Sequence, residues 1–168
     1  MSERLLRVRE AGQDLVFGIA DLNRYHGFGF PGGVAHGFKV LERALPLLAD
    51  GAPPERREIA IRTAFRGPGA RDAIELVTRA TTDGRYVVDA ALERPERGTT
   101  LMRYVFVLTY RQTTLRLQIR DGIVRDEFIA LGQKPDRTPE DEVRLAFLKQ
   151  DMADRLLALP PADAYEIA

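Results

Sequence analysis

The sequence of 168 residues contains no cysteine. This absence excludes disulfide bonds, thiolate nucleophiles, iron–sulfur clusters and cysteine-based zinc sites. Histidine is scarce as well, with only His26 and His36, so a divalent metal such as zinc would need carboxylate or water oxygens to complete its ligands. The single serine is Ser2, which leaves no activated nucleophile of the usual kinds. Acid–base or lyase-type chemistry is the enzymatic route that stays open.

Net charge is also absent, because 25 Lys and Arg residues balance 25 Asp and Glu residues. No overall field then attracts nucleic acid or an acidic membrane, and neither is an expected partner. No apolar run approaches the ~20 residues that a membrane-spanning helix needs. The first ten residues are charged and lack the apolar segment of a signal peptide, so the cytoplasm is the expected location.

The composition is that of a folded domain, with 45% hydrophobic and 30% charged residues. Two amphipathic helices are predicted in the first fifty residues. The first covers residues 13–25, where Leu15, Ile19 and Leu22 have helical spacing. The second begins near Gly33 and ends before the two prolines of residues 50–55. Its predicted apolar stripe consists of Val34, Phe38, Leu41, Leu45 and Leu48.

The rest of the chain predicts a sheet, one short helix and a final helix. The short helix follows residues 66–69 and turns Ala70, Ile74 and Val77 inward. The final helix covers residues 139–159, because Thr138 is a good N-cap residue and Pro139 suits the first helical position. A strand is predicted at 57–65, and three or four more in the segments 84–93, 100–110, 113–122 and 123–131. Around residues 120–125 the pattern fits one bent strand or two short ones.

These elements predict one α+β domain over residues 1–168. Its helices pack on a mixed, largely antiparallel sheet of about four to five strands.

A glycine-rich loop precedes the second predicted helix. It lies in "NRYHGFGFPGGVAHGF", and residues 27–32 fit the pattern G-x-G-x-x-G of dinucleotide-binding sites. That pattern must directly follow a strand, whereas here the polar residues 20–26 intervene. Asp50 has the spacing of the acidic partner but lies at the end of a helix. The sequence therefore argues against a dinucleotide site, and Phe28 and Phe30 could simply plug the core.

A second glycine loop of similar design favours a ligand. Gly67-Pro68-Gly69 also opens a helix, and Arg66, Arg71 and Asp72 flank it. Helix N-termini offer free N–H groups and partial positive charge, which suit carboxylate or phosphate. If the two loops converge, they would form a pocket for an anion.

Residues 22–38 resemble a segment of the FmdE component of formylmethanofuran dehydrogenase and its stand-alone relatives, with the pattern F-H-G-H-x-C-P-G-x-x-x-G-Y. The matching positions are His26, Gly27, Pro31, Gly32, Gly37 and Phe38. Residues 69–88 resemble a second block of that family, matching it at Asp72, Ala73, Ile74, Thr78, Thr81 and Gly84. The resemblance covers about residues 14–131, without the family's C-terminal zinc ribbon. It implies an α+β fold with helices on a mixed sheet of four or five strands, and relatives that are often dimeric.

The departures from the family are concentrated at its metal ligands. Phe28 and Phe30 stand at the second histidine and the cysteine of the first block, and Gly69 and Ala80 at the cysteines of the second. Only His26 remains, so the resemblance implies a degenerate metal site. A metal at His26 would need Asp72 or water to complete it, and a hydrogen bond that holds the loop is the preferred role of His26. His36 is expected to be a surface or capping histidine.

Three functions follow from these residues. The first is a module that binds a small anionic or partly apolar ligand, with His26, Arg66, Arg71 and Asp72 as polar contacts and Phe28 and Phe30 as an apolar wall. The second is an enzyme, either metal-dependent or using a His26–Asp72 acid–base pair. The third is a structural or assembly protein, expected to be a homodimer because residues 101–110 predict a strand with apolar side chains on both faces.

Overall fold

The computed structural model describes residues 3–168. Within them, the α-helices are α1 (Ile19–His26), α2 (Pro31–Leu48), α3 (Pro68–Thr78), α4 (Gly98–Leu101), α5 (Asp126–Gln133), α6 (Pro139–Ala158) and α7 (Pro161–Ala164). The strands are β1 (Leu6–Glu10), β2 (Gln13–Phe17), β3 (Ile59–Thr63), β4 (Tyr86–Val88), β5 (Val105–Tyr110), β6 (Thr113–Ile119) and β7 (Tyr165–Ile167).

The main sheet has five strands in the order β4-β3-β5-β6-β7. Only the β3–β4 pair is parallel, and the other three pairs are antiparallel. The predicted α+β class with a mixed, largely antiparallel sheet is therefore confirmed. Strands β1 and β2 form a separate hairpin whose two-residue turn has positive φ at Ala11 (52°) and Gly12 (78°). Such turns match the twist of paired strands.

Helix α2 is the centre of the core. It packs between α3 and α6, and it also contacts the sheet. Its predicted stripe is confirmed, since Val34, Phe38, Leu41, Leu45 and Leu48 are at most 4% exposed. The inward residues predicted for α3 are likewise fully buried.

Glycines let α2 and α3 approach closely. A Cβ atom on Gly37 would lie 2.8 Å from the Cβ of Ala73, and one on Gly69 would lie 2.8 Å from the backbone nitrogen of Val34. Neither distance is compatible with an added methyl group unless a backbone moves. The separation of the two helices is thus fixed by the absence of side chains at these positions.

Two predicted elements were wrong. Residues 13–17 are the second strand of the β1–β2 hairpin, and the helix predicted from residue 13 begins only at Ile19, after Gly18. Residues 126–133 form helix α5 instead of a strand. The outer edge of β6, where such a strand would have paired, is occupied by β7 from the C-terminus.

Other boundaries are shorter than predicted. The segment 84–93 contains only the three-residue β4 and a 3₁₀ turn at Ala90–Leu92. The start of the predicted strand 100–110 belongs to α4, and β5 begins at Val105. The N-cap of α6 is confirmed, because Thr138 Oγ1 accepts a hydrogen bond from the Asp141 N–H.

The outer face of the sheet is largely polar. Val107 of β5 is registered between Arg62 of β3 and Arg116 of β6, while Phe106 and Leu108 face the core. The second apolar face predicted for this strand is therefore reduced to isolated residues. None of the helices within residues 3–168 combines the length and the hydropathy needed to cross a bilayer.

Candidate functional site

The two glycine loops meet at the N-terminal ends of α2 and α3. A Cβ atom on Gly69 would lie 2.9 Å from the carbonyl oxygen of Phe30, and one on Gly33 would lie 3.2 Å from the Cα of Gly69. The loops therefore touch through their backbones, which is the convergence that an anion pocket required. A dinucleotide site requires a strand directly before its glycine loop, whereas the first loop here follows helix α1.

A cavity of about 250 Å³ opens beside this contact. Its walls come from the first loop, the segment before α3, helix α4, the residues just before β5, and helices α5 and α6. The apolar lining consists of Phe30, Phe65, Tyr104, Phe128, Ile129 and Met152. The polar groups that border it are Arg66, Thr99, Thr100, Arg103 and Gln133.

Two arginines of this cavity share one carboxylate. Arg103 Nε donates a hydrogen bond to Glu93 Oε1 over 3.1 Å, and Arg66 Nη2 approaches the same oxygen at 3.5 Å. Both guanidinium groups are about half exposed, whereas the Glu93 side chain is 17% exposed. One positive charge at this rim is thus left without a countercharge from Glu93.

A second polar cluster lies behind Phe30. His26 Nδ1 is 2.8 Å from Asp72 Oδ2, and Arg71 Nε donates to Asp72 Oδ1 over 3.2 Å. The His26 side chain is 8% exposed and its ring centroid lies 5.8 Å from that of Phe30. Because Phe30 also lines the cavity, this ring separates the cluster from the cavity.

The residues predicted for one site are therefore divided. Phe30 and Arg66 line the cavity, and His26, Arg71 and Asp72 form the neighbouring cluster. Phe28 belongs to neither group: it is 84% exposed and neither plugs the core nor walls the pocket. Its solvent exposure follows from the open loop between α1 and α2, which ends before the chain turns inward at Pro31.

Tyr86 adds an unexpected polar group close to this cluster. Its hydroxyl oxygen is buried and has no hydrogen-bond partner within residues 3–168. Burial raises the pKa of Tyr86 to about 12, and the nearby charges of Arg71 and Asp72 also act on it.

His36 is in the core and not at the surface, so that prediction was wrong. It is fully buried, with Nδ1 2.8 Å from the Tyr165 hydroxyl and Nε2 3.3 Å from Met152 Sδ. Burial lowers its pKa to about 3, which keeps the imidazole neutral at physiological pH. The cause is the position of α2, which is enclosed on several sides, so that its polar residues are buried along with its apolar stripe.

A metal site is not assembled by the residues that the structure describes. No group of three or more His, Asp or Glu side chains in residues 3–168 is placed to hold an ion. His26 and Asp72 bind each other, and Phe28 points to solvent.

Several lining residues were not predicted from the sequence. Phe128 and Ile129 fall in a segment predicted as a strand, and Met152 lies in the predicted final helix, where the sequence indicated no site. Arg103 and Tyr104 lie within a predicted strand, where nothing in the sequence signals a site. Phe65 was detectable, because it directly precedes the second glycine loop.

Comparisons with known proteins add no family to these observations. No protein-family model matches the chain, and no curated protein matches it at a significant level.

Proposed function

We propose that this chain is an FmdE-like module that binds a small ligand in the cavity between its two glycine loops. The observation that carries the proposal is the cavity itself: about 250 Å³, walled by aromatic and aliphatic side chains, with its charged groups at the rim. Small-molecule sites usually combine an apolar concave surface with a few polar groups that fix orientation.

The spatial arrangement of the family-like positions supports this assignment. His26 and Phe30, which match ligand positions of the first block, have ring centroids 5.8 Å apart. The carbonyl of Phe30 contacts Gly69, which matches a ligand position of the second block. On this proposal the metal site is degenerate, because Phe30 offers no lone pair and a side chain at Gly69 has no room.

The proposal is tested by blocking the cavity. A thermal-shift screen of small acids and their neutral analogues on the purified protein should yield compounds that raise the melting temperature. Ile129→Trp replaces an aliphatic side chain of the cavity wall with a bulky indole ring and should abolish these shifts. The matched control is Val87→Trp, because Val87 is 48% exposed on β4 and does not line the cavity.

Shifts that survive in Ile129→Trp would contradict the location of the site. Elemental analysis supplies a second test: we expect no stoichiometric zinc or other divalent metal in untagged protein. Bound metal that is lost in His26→Ala would overturn the degenerate site.

The His26–Asp72 pair favours a second candidate, an acid–base enzyme. Asp72 lies 2.8 Å from Nδ1, so the carboxylate orients the imidazole, and Nε2 has no hydrogen-bond partner within residues 3–168. A carboxylate that orients a histidine is a common arrangement for a general base. An activity that is lost in His26→Ala but retained in Arg71→Gln would support it; an activity screen without any turnover would remove it.

We also propose that the chain forms a homodimer through α6. Val143 (73% exposed) and Phe147 (58% exposed) lie one turn apart, flanked by Glu140 and Arg144. A twofold contact between antiparallel copies of α6 would cover the apolar pair and bring opposite charges together. Light scattering should report a dimer that Phe147→Glu converts to a monomer. A wild-type monomer at micromolar concentration would exclude it. The cytoplasmic location stays a prediction from the sequence.

A further inference from the structure

We propose that the ligand of this cavity is a small aryl acid: one ring, one carboxylate, and a further polar atom on the ring. This inference rests on the proposed function, since it concerns the same cavity. It assigns the carboxylate to Arg66 and Arg103 at the rim, and the ring to the apolar wall that includes Tyr104 and Met152.

The size of the cavity sets the size of the ligand. An apolar cavity of roughly 150 Å³ holds one benzene molecule. The cavity here has about 250 Å³, which leaves room for one ring and a short carboxylate-bearing side chain. A long acyl chain would exceed this volume.

The rim charges favour an anion. Arg66 and Arg103 have only Glu93 between them, and a guanidinium group matches the two oxygens of a carboxylate. The neighbouring acidic residue Asp126 accepts a hydrogen bond from the Thr100 hydroxyl. Lys149 adds a positive charge 4.4 Å from the ring centroid of Phe30.

Tyr104 supplies the reason for a polar atom on the ring. It is 3% exposed, it lines the cavity, and its hydroxyl has no hydrogen-bond partner within residues 3–168. Its oxygen is not fully enclosed, unlike that of Tyr86, so a polar ligand atom in the cavity can form a hydrogen bond with it and gain affinity. Burial also raises the pKa of Tyr104 well above its usual range, so the group stays a neutral donor.

The test compares three probes by isothermal titration calorimetry on the full chain: 3-(4-hydroxyphenyl)propanoate, 3-phenylpropanoate and the neutral 3-phenylpropanamide. We expect the two acids to bind at least about tenfold more tightly than the amide. This is the gain in affinity that a hydrogen bond to a charged group typically gives. Arg103→Gln should remove this difference and leave amide binding unchanged. Tyr104→Phe should remove the preference for the hydroxylated acid over 3-phenylpropanoate.

The matched control is Arg116→Gln, which deletes a guanidinium group from the outer face of the sheet and should change none of the affinities. Equal affinities for acid and amide would overturn the aryl-acid assignment while leaving the proposed binding module intact. Unchanged acid binding in Arg103→Gln would likewise overturn the role of the rim. If none of the three probes binds, the aryl-acid assignment is overturned. If the thermal-shift screen of the wild-type protein also yields no compound, the binding module itself fails.

Discussion

His26 and Asp72, which are 46 residues apart in sequence, join two helices through a contact of 2.8 Å between Nδ1 and Oδ2. His26 is the last residue of α1, and Asp72 lies in the first half of α3. The pair holds the start of the first glycine loop against the helix opened by the second. The loop geometry at the cavity therefore depends on a polar contact outside the cavity.

We expect Asp72→Ala to lower the free energy of unfolding by about 1.5 kcal/mol, because a mostly buried hydrogen bond to a charged group is lost. Asp72→Asn should lower it less, since the amide oxygen can still accept. Urea denaturation measures both. Asp14→Ala is the control, because its ion pair with Arg9 is exposed and should contribute less than about 1 kcal/mol. Equal losses at the two sites would contradict the structural role of the pair.

Two tyrosines differ in whether their hydroxyl group has a hydrogen-bond partner. The Tyr86 hydroxyl is buried without a partner, whereas the Tyr165 hydroxyl lies 2.8 Å from His36. Tyr86→Phe should leave the free energy of unfolding unchanged or raise it by up to about 1 kcal/mol, and Tyr165→Phe should lower it by about 1 kcal/mol or more. Chemical denaturation of both variants decides the matter. A clear loss in Tyr86→Phe would show that its hydroxyl has a partner in solution.

The close approach of α2 and α3 gives a third prediction. Gly69→Ala should destabilise the protein by about 2 kcal/mol or more, because the new methyl group collides with backbone atoms and the helices must separate. Gly132→Ala is the matched control on α5, where the space around the Cβ position is open. It should be neutral or stabilise by up to about 1 kcal/mol, because alanine favours helix. Thermal unfolding measures both variants, and similar losses would argue against the tight contact.

The burial of His36 predicts a pH dependence of stability. Its pKa falls from 6.5 to about 3 on folding, so the unfolded chain binds more protons between these values. The stability is then fully present above pH 6.5 and is lost as the pH falls towards 3. Between pH 7 and pH 5 we expect a loss of about 2 kcal/mol from this group.

This window separates His36 from the carboxylates whose pKa values are lowered by arginine, such as Glu10. Those groups lose their stabilising effect only at lower pH, because unfolded carboxyl groups protonate near pH 4. Urea denaturation at pH 7 and pH 5 should show the loss in the wild type and in His26→Gln, and a much smaller one in His36→Phe. The same loss in His36→Phe would assign the dependence to other groups.

The sequence was most informative about features that depend on a few neighbouring residues of one helix. The stripe on α2 and the N-cap of α6 were predictable, because periodicity and capping act over a few residues. The meeting of the two glycine loops was a conditional prediction from their similar design. His36 was misplaced because a stripe indicates which face is buried and does not reveal that a helix is enclosed on further sides.

The errors have two causes, a long-range pairing and a weak local turn signal. Residues 123–131 have a pattern compatible with a strand, but the edge of β6 is taken by β7, about forty residues later in the chain. The β1–β2 hairpin was missed because its turn is formed by Ala11 and Gly12, and alanine with positive φ gives no strong turn signal. The lining residues Arg103 and Tyr104 come together with α5 and α6 only in the folded chain.

Helix α5 has a consequence for how fast the cavity exchanges its contents. It covers one side of the cavity with Phe128 and Ile129, yet none of its residues is fully buried. Polar contacts at the protein surface fasten it, among them Glu127 with Arg144 and Arg125 with Asp151. Breaking such contacts costs little, and salt weakens them further. The apolar contacts of Phe128 and Ile129 then set most of the barrier to moving α5 off the cavity. The residence time of a bound ligand should therefore shorten as ionic strength rises.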